Sequence, residues 1–305
     1  MSREVEKMVS QVSKVILGKE REIRLALACF FAKGHLLIED FPGIGKTTLA
    51  KALARCMGLD FQRMQFTSDL LPGDILGTSV FDQNAAAFTF HPGPVFTQVF
   101  LVDEINRATP KSQSALLEAM EEGQVTIEGA TRPLGQPFFV IATQNPLEQA
   151  GTFPLPESQM DRFLMRISLG YPDRAAEKDI LTGQGSSPIL DTLSCCMEKP
   201  QVLRIQDEVA QVYPSHTFVT YLQDLLEFTR KSGQFQIGLS PRAGIALLSA
   251  AKAWAYLQGR DYVLPEDLQH TLPWTAGHRL RTRLDHAPVA PEHLAEMIRE
   301  VPVPV

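Results

Sequence analysis

The chain reads His35-Leu-Leu-Ile-Glu-Asp-Phe-Pro-Gly-Ile-Gly-Lys-Thr-Thr48, a short apolar run followed by a glycine-containing turn. The apolar run predicts a buried strand, and the residues after the turn favour a helix. Glycine lets backbone N–H groups of such a turn point inward at phosphate oxygens, and the start of the helix adds the positive end of its dipole. The stretch therefore predicts a phosphate-binding loop between a strand and a helix.

Lys46 is expected to reach the β- and γ-phosphates of a nucleotide, and the Thr47 hydroxyl is expected to ligate Mg²⁺. The strict pattern begins with glycine where this chain has Asp40, and an ordinary strand–helix turn is the alternative interpretation. The predicted nucleotide-binding residues are Pro42, Gly43, Ile44, Gly45, Lys46, Thr47 and Thr48.

Two further strand ends carry polar side chains. The apolar run from Val99 to Val102 ends in Asp103 and Glu104, where open α/β sheets bind ligands. Asp103 is a candidate Mg²⁺ ligand, and Glu104 is a candidate for polarising the attacking water. Alone, this pattern also fits a strand that ends in solvent, but after a phosphate-binding loop it favours a nucleotide-hydrolysing site. Asn145 follows a third run and would orient the same water; a polar residue in a proline-containing turn is the alternative.

The order of elements predicts a parallel sheet covered by helices on both faces, then a smaller all-α domain. We place the α/β domain at residues 1–172 and the helical domain at 173–305. Expected strands are His35–Glu39, Phe61–Gln65, Val99–Val102 and Phe138–Thr143. Expected helices are Lys46–Met57, Pro110–Glu122, Arg174–Thr182, Gln206–Val212, Phe218–Lys231, Pro241–Leu257 and Pro265–Thr271, with a polar loop containing Pro188 and Pro200 between the third and fourth.

Two hairpins are predicted beyond this core. Residues 71–98 contain Ser79–Phe81 and Phe88–Phe90 around a turn, and a second hairpin turns at Glu128 to Ala130. Either hairpin is a candidate for contacting a substrate; surface loops that merely pack are the alternative.

The charge balance, 29 Lys+Arg against 35 Asp+Glu, gives no global attraction to nucleic acid. Charged residues follow Met1, so no signal peptide is expected, no stretch predicts membrane insertion, and the cytoplasm is the expected compartment. The only basic run, His278 to Arg283, is expected to be a solvated helix end or part of a subunit interface rather than a nucleic-acid contact.

The chain resembles AAA+ ATPases, and within them the MoxR family, over roughly residues 5–285. The strings that carry the resemblance are 39–47 around the phosphate loop, 102–108 after Val102, 116–125, 142–146 and 155–163. Asp40 at the start of the loop is itself typical of MoxR proteins. The insert at 71–98 matches the helix-2 insert that MoxR proteins share with magnesium chelatase motors.

The resemblance implies roles that spacing does not supply. It implies that Asn145 is the sensor-1 residue, that Arg162 is an arginine finger reaching a neighbouring subunit, with Arg166 a weaker candidate, and that Arg242 is the sensor-2 residue of the lid. Ser240 and Pro241 suit a helix start, which places Arg242 in a first turn. The expected catalytic residues are thus Glu104, Asn145, Arg162 and Arg242, and the expected metal ligands are Thr47 and Asp103.

A MoxR-type motor would hydrolyse ATP with Mg²⁺, form a homo-oligomeric ring, expected to be a hexamer, and remodel a protein client, often with a partner that carries a von Willebrand factor A domain. Three alternatives stay open at this point. They are a nucleic-acid translocase, disfavoured by the low basic content, a magnesium-chelatase motor subunit, and a scaffold that binds ATP without turnover.

Overall fold

The computed structural model describes residues 3–84, 86–146, 151–183, 187–284, 286–289 and 291–303. Its centre is a five-stranded parallel sheet in the order β2-β5-β8-β1-β9. The strands of this sheet are β1 (Leu36–Glu39), β2 (Phe61–Gln65), β5 (Val99–Asp103), β8 (Phe139–Gln144) and β9 (Met165–Ile167). We call the edge at which these strands end the carboxyl edge, and the opposite one the amino edge.

Side chains along the central strands pack alternately on the two faces of the sheet, because successive side chains point to opposite faces. Val99 and Leu101 pack on the face covered by α1 (Arg3–Val12), α2 (Glu20–Phe31) and α3 (Lys46–Cys56). Phe100 and Val102 pack on the face covered by α5 (Pro110–Glu122). Both faces are therefore buried, which explains the continuously apolar strand sequences.

Further helices follow β8 in the chain. They are α6 (Glu157–Met160), α7 (Arg174–Leu181), α8 (Ser187–Thr192), α9 (Lys199–Gln211), α10 (His216–Lys231), α11 (Pro241–Leu257), α12 (Pro265–Ala276) and α13 (Pro291–Glu300). Helices α10 to α13 form a core of their own. Helices α9 and α11 also pack in the core beneath the sheet, through residues such as Val202 and Trp254. The domain boundary at residue 172 stays a prediction.

Both predicted hairpins are confirmed. After α4 (Pro72–Leu76), strands β3 (Gly77–Asp82) and β4 (Ala87–Pro92) pair antiparallel, although Ala85 of their turn lies outside the described residues. Strands β6 (Gln124–Ile127) and β7 (Ala130–Pro133) pair in the same way, and both turn residues between them have positive φ. That conformation matches the twist of two-residue hairpin turns.

Two expectations from the sequence are wrong, and two elements were not predicted. Strand β9 was not predicted, because only three residues of mixed character form it. The expected polar loop around Pro188 and Pro200 contains α8 and the start of α9, where Pro200 occupies a first-turn position that tolerates proline. Helix α12 continues past Thr271 despite an internal Pro273, and α13 was not predicted.

The first residues of the basic run are not solvated, whereas Arg283 at its end is exposed. His278 is 2% exposed, and the Arg279 side chain is also buried. Within the described ranges, the fold contains no helix long and apolar enough to cross a bilayer.

Candidate nucleotide-hydrolysis site

The phosphate-binding loop joins β1 to α3 at the carboxyl edge. Gly43 and Gly45 have φ of 86° and 96°, a region that L-residues with side chains rarely adopt. A Cβ at Gly43 would meet no atom within 4 Å, so the loop opens onto free space. Lys46 Nζ donates to the carbonyls of Asp40 and Phe41, at 2.5 and 3.1 Å, and so lies across the mouth of the loop. Burial lowers the pKa of Lys46, while Asp40, Asp103 and Glu104 oppose that shift.

Asp40 takes the place of the usual first glycine and anchors the loop. Its side chain is 3% exposed. Oδ2 accepts hydrogen bonds from Ser168 Oγ at 2.9 Å and from the Gly170 backbone N–H at 2.7 Å, and Oδ1 accepts from Phe41 N–H at 3.0 Å. The carboxylate therefore ties the start of the loop to the segment that follows β9. The departure from the glycine pattern leaves the phosphate-facing glycines unchanged.

Asp103 ends the fully buried strand β5 and is held from two neighbouring strands. Arg63 Nε of β2 pairs with Oδ2 at 2.6 Å, and Thr143 Oγ1 of β8 donates to Oδ1 at 3.2 Å. These contacts satisfy and orient the buried carboxylate beside the loop. Its remaining lone pairs are available to a hydrated cation.

Glu104 has a left-handed backbone, with φ 57° and ψ 52°, an unfavourable conformation for a residue with a side chain. The Glu104 N–H donates to Thr143 Oγ1 at 3.0 Å, which holds this turn in place. Its carboxylate accepts from Gln65 Nε2 and pairs with Arg107 Nε, each at 2.7 Å. Strained residues of this kind cluster at functional sites.

Asn145 follows β8, which lies between β5 and β1. The carbonyl of its neighbour Gln144 accepts the Asp40 N–H at 3.1 Å, so Asn145 lies beside the start of the phosphate loop. Loop, acid pair and Asn145 thus converge at the carboxyl edge, because parallel strands end together there.

This constellation fits a nucleoside triphosphate with Mg²⁺. The loop offers inward space, a helix start and a lysine, and Thr47 and Asp103 offer oxygen ligands. Within the described part of the chain, no group of three or more His, Cys, Asp or Glu side chains is arranged to hold a metal. Mg²⁺ is usually bound by one or two carboxylates together with water and substrate phosphates, so the donor set suits a metal that arrives with the nucleotide.

Arg162 lies at the opposite, amino edge. Its Nη1 donates to the Leu117 carbonyl at 2.8 Å and pairs with Glu121 near the end of α5. The Met120 carbonyl contacts His35 Nε2 at 3.2 Å, and His35 immediately precedes β1. The phosphate loop follows the other end of that strand, about 13 Å away at the usual rise per residue. Arg162 therefore points away from its own nucleotide site.

Arg242 is in the first turn of α11, whose N-cap Ser240 accepts from the Ala243 N–H. Its guanidinium pairs with Glu121 Oε1 at 3.0 Å and with Asp161 Oδ2 at 3.6 Å. The structure brings Arg242 to Arg162 and not to the phosphate loop of the same chain. Arg166 pairs with Glu39 of β1 at 2.9 Å inside its own sheet.

Several contacting residues were not predicted. Arg63 and Gln65 are two positions apart on β2, so they lie on the same face of the strand. This period of two was visible in the sequence. Glu121, Asp161 and Arg279 are charged residues whose pairing across more than 40 positions no local pattern indicates.

The fold and the site define a P-loop ATPase of the AAA+ class. Residues 35–165 match the ATPase family associated with various cellular activities (AAA), and residues 227–301 match the AAA lid domain.

Similar proteins identify the family within this class. The uncharacterized protein YeaC of Bacillus subtilis is 47% identical over 274 residues, covering 90% of this chain and 86% of that protein. The chaperone MoxR1 of Mycobacterium tuberculosis is 39% identical over 285 residues, covering 90% and 75%. A crystal structure from Cytophaga hutchinsonii, assigned to the ATPases, superposes with a TM-score of 0.89 at 38% identity and covers 98% and 94%. The chain belongs to the MoxR family of AAA+ ATPases.

Proposed function

We propose that this protein is a Mg²⁺-dependent ATPase whose hydrolysis drives chaperone-like remodelling of a protein client. The observation that carries the proposal is the convergence of Lys46, Asp103 and Glu104 at one edge, with Glu104 held in a strained turn. Such strain is retained where it contributes to function. The relative named chaperone MoxR1 supports the remodelling role.

Lys46 and the loop N–H groups would bind the β- and γ-phosphates. Thr47 and Asp103 would hold Mg²⁺, which neutralises phosphate charge when bound. Glu104 would accept a proton from the attacking water. At the same time, the water oxygen would bond to the γ-phosphorus, and the bond between the γ-phosphorus and the bridging β-phosphate oxygen would break. Asn145, beside the loop, would orient that water. Gln65 and Arg107 restrain the Glu104 carboxylate, so the base has a defined position before the nucleotide binds.

A second chain completes the site. AAA+ ATPases generally form rings, and we propose a hexamer in which Arg162 and Arg242 of one subunit reach the γ-phosphate bound by its neighbour. Their position at the amino edge, together and away from their own loop, supports this assignment. Positive charge there would stabilise the negative charge that develops in the transition state.

The two hairpins form one candidate client-contacting unit. Ser79 Oγ donates to Glu128 Oε2 at 2.6 Å, and the Arg132 guanidinium lies 3.9 Å from the Phe90 ring centroid, so β3–β4 and β6–β7 brace each other. At the far end, Phe81 and Phe88 are 50% and 72% exposed and pack edge to face. Exposed paired aromatics favour contact with apolar segments of a polypeptide.

The hairpin surface bears on the nucleic-acid alternative. In the described residues of both hairpins, the one Lys or Arg is Arg132, which stacks on Phe90. Phosphate backbones are bound through clusters of exposed cations, and these hairpins lack one in their described part. We therefore favour a protein client. A partner with a von Willebrand factor A domain, a chelatase-type partner and the cytoplasmic location stay predictions from the sequence.

Phosphate release by the purified oligomer tests the proposal. The wild type should hydrolyse ATP only with Mg²⁺. Lys46→Ala should abolish nucleotide binding. Glu104→Gln should keep ATP bound and lower kcat by about 10²–10⁴-fold, because the base is lost while the phosphate contacts remain. An exposed acid of α5, Glu118→Gln, serves as control and should behave as wild type. Unchanged turnover in Glu104→Gln would refute the mechanism, and a wild type without turnover would leave an ATP-binding scaffold.

A further inference from the structure

Three arginines and two acids form one connected group at the amino edge, which we call the arginine cluster: Arg162, Arg242, Arg279, Glu121 and Asp161. Glu121 pairs with both Arg162 and Arg242, and Asp161 pairs with both Arg242 and Arg279. The cluster therefore carries one excess positive charge. Arg162 and Arg242 keep partly exposed side chains, at 27% and 51%, whereas Arg279 is 6% exposed.

Arg279 has the most extensive contacts of the group. Its Nε donates to Asp161 Oδ1 at 2.6 Å. Nη2 donates to the carbonyls of Asp161 at 3.0 Å and Phe163 at 2.8 Å, and Nη1 donates to the Leu164 carbonyl at 3.2 Å. Arg162 lies in the middle of this turn. The planar guanidinium thus holds the backbone on both sides of Arg162 in one arrangement, which a flexible ammonium cannot reproduce.

Arg279 itself belongs to the lid, although its side chain contacts the 161–164 turn. Arg279 follows α12, and its Nη1 also donates to the Thr275 carbonyl of that helix. The preceding His278 contacts the Phe163 carbonyl through Nε2 at 3.0 Å from a buried position. Two consecutive lid residues therefore hydrogen-bond to the turn that carries Arg162. Helix α12 packs against β9, the strand that follows this turn.

We propose that Arg279 is a positioning residue: it fixes the 161–164 turn to the lid so that Arg162 and Arg242 are presented together to the nucleotide of the neighbouring subunit. This inference rests on the proposed function, since it needs a trans-acting arginine pair. It adds that the lid of one subunit controls hydrolysis in the next one. Movement of α12 in one subunit would displace Arg162 through Arg279, without any change at that neighbour's phosphate loop.

Arg279→Lys tests the proposal, because it keeps the charge beside Asp161 but loses the forked grip on the three carbonyls. We expect ATP affinity of the oligomer within about twofold of wild type and a kcat about 10–100-fold lower, the cost of misplacing a reacting group by about 1 Å. Arg281→Lys is the matched control, since it belongs to the same basic run but pairs with Glu157, outside the cluster. It should keep wild-type kcat.

Subunit mixing separates a positioning role from a general structural one. Arg279→Lys subunits have an intact phosphate loop, and Lys46→Ala subunits have an intact arginine cluster. Mixed rings should hydrolyse ATP well above the sum of the separate preparations. In a mixed ring, the intact phosphate loop of an Arg279→Lys subunit can lie next to the intact arginine cluster of a Lys46→Ala subunit. A wild-type kcat in Arg279→Lys, or a low kcat that mixing does not raise, would overturn the proposal.

Two further preparations keep the outcome decisive. If Arg279→Lys does not assemble, Asp161→Asn, at a position 25% exposed, weakens the charged contacts of both Arg279 and Arg242 while leaving the carbonyl contacts of Arg279, and it is judged by the same mixing. Arg162→Ala mixed with Lys46→Ala reports on the trans arginine itself. If mixing restores activity to Arg162→Ala but not to the Arg279 and Asp161 variants, the positioning role of Arg279 is refuted, while the trans-acting role of Arg162 stands. No rescue of Arg162→Ala would refute the proposed neighbouring site, and with it this inference.

Discussion

The two edges of the central sheet contain different halves of one candidate catalytic site. The carboxyl edge brings together Lys46, Asp103 and Glu104 through the geometry of neighbouring parallel strands. The amino edge brings together arginines from the α6–β9 turn, α11 and the end of α12, held by Glu121 and Asp161. The halves are separated by the length of a strand, so neither edge is complete within one chain. Under the proposed function, hydrolysis would therefore depend on assembly.

Removing the arginine finger should break this arrangement most strongly. Arg162→Ala takes away a positive charge that we propose acts on the neighbouring subunit, and such arginines contribute about 10³–10⁵-fold to kcat in related phosphoryl-transfer sites. Steady-state phosphate release should fall by that order while ATP affinity, measured by nucleotide titration, stays near the wild-type value. Mixing with Lys46→Ala subunits should restore activity. A variant that loses ATP affinity in equal measure would place Arg162 at its own loop instead.

Arg242 provides a second test of the difference between the two edges. Because this lid residue lies at the amino edge, it should also act on the nucleotide of the neighbouring subunit. Arg242→Ala should lower kcat by about 10²-fold, the typical cost of losing one charge-stabilising donor. Subunit mixing with Lys46→Ala should again raise the activity. Arg283→Ala is a suitable control for a lid arginine, since that residue is exposed and lies outside the cluster. If mixing leaves Arg242→Ala inactive, the residue serves the loop of its own chain.

Acid should weaken the amino edge through His35. Burial lowers the pKa of His35 to about 4, and its Nδ1 accepts the Val140 N–H at 3.0 Å, which requires the neutral ring. The unfolded chain therefore binds this proton first. The contribution to the free energy of unfolding is complete above about pH 6.5 and is lost as pH falls toward 4, by about 3 kcal/mol.

Urea unfolding between pH 7 and pH 4.5 measures this effect. His35→Gln should reduce the pH dependence of the free energy of unfolding, whereas His216→Gln, an exposed residue of α10, should keep the wild-type dependence. Equal slopes in His35→Gln and wild type would show that His35 does not titrate with folding.

The smallest effect on stability is expected outside both edges, at the hairpin tip. Phe88→Ser removes a side chain that is 72% exposed, so the free energy of unfolding should change by no more than about 0.5 kcal/mol. Stimulation of phosphate release by a reduced, carboxymethylated protein should fall, since the aromatic pair is broken. Thr89→Ala, on the same strand, should retain the stimulation. Full stimulation in Phe88→Ser would exclude the tip as the client contact.

The sequence by itself determined the carboxyl edge. A strand, a turn with two glycines and a helix specify the phosphate loop locally, and acids at the ends of apolar runs must meet because parallel strands end at a common edge. The alternation of Arg63 and Gln65 on β2 carried information of the same kind. Helix α11 was predictable in full, since Ser240 and Pro241 mark its start. Strand β9, by contrast, had too few residues to show a period.

Only the tertiary structure decided the amino edge. Arg162, Arg242 and Arg279 are separated by dozens of residues and belong to no shared motif, so their sharing of Glu121 and Asp161 follows from how the lid packs on β9. The basic run at 278–283 shows the limit of local sequence patterns. Its sequence predicts a solvated helix end or a part of a subunit interface, whereas His278 and Arg279 are buried within their own chain, where the Phe163 carbonyl accepts hydrogen bonds from both. Charged side chains are buried where long-range packing supplies partners, and local sequence does not encode those partners.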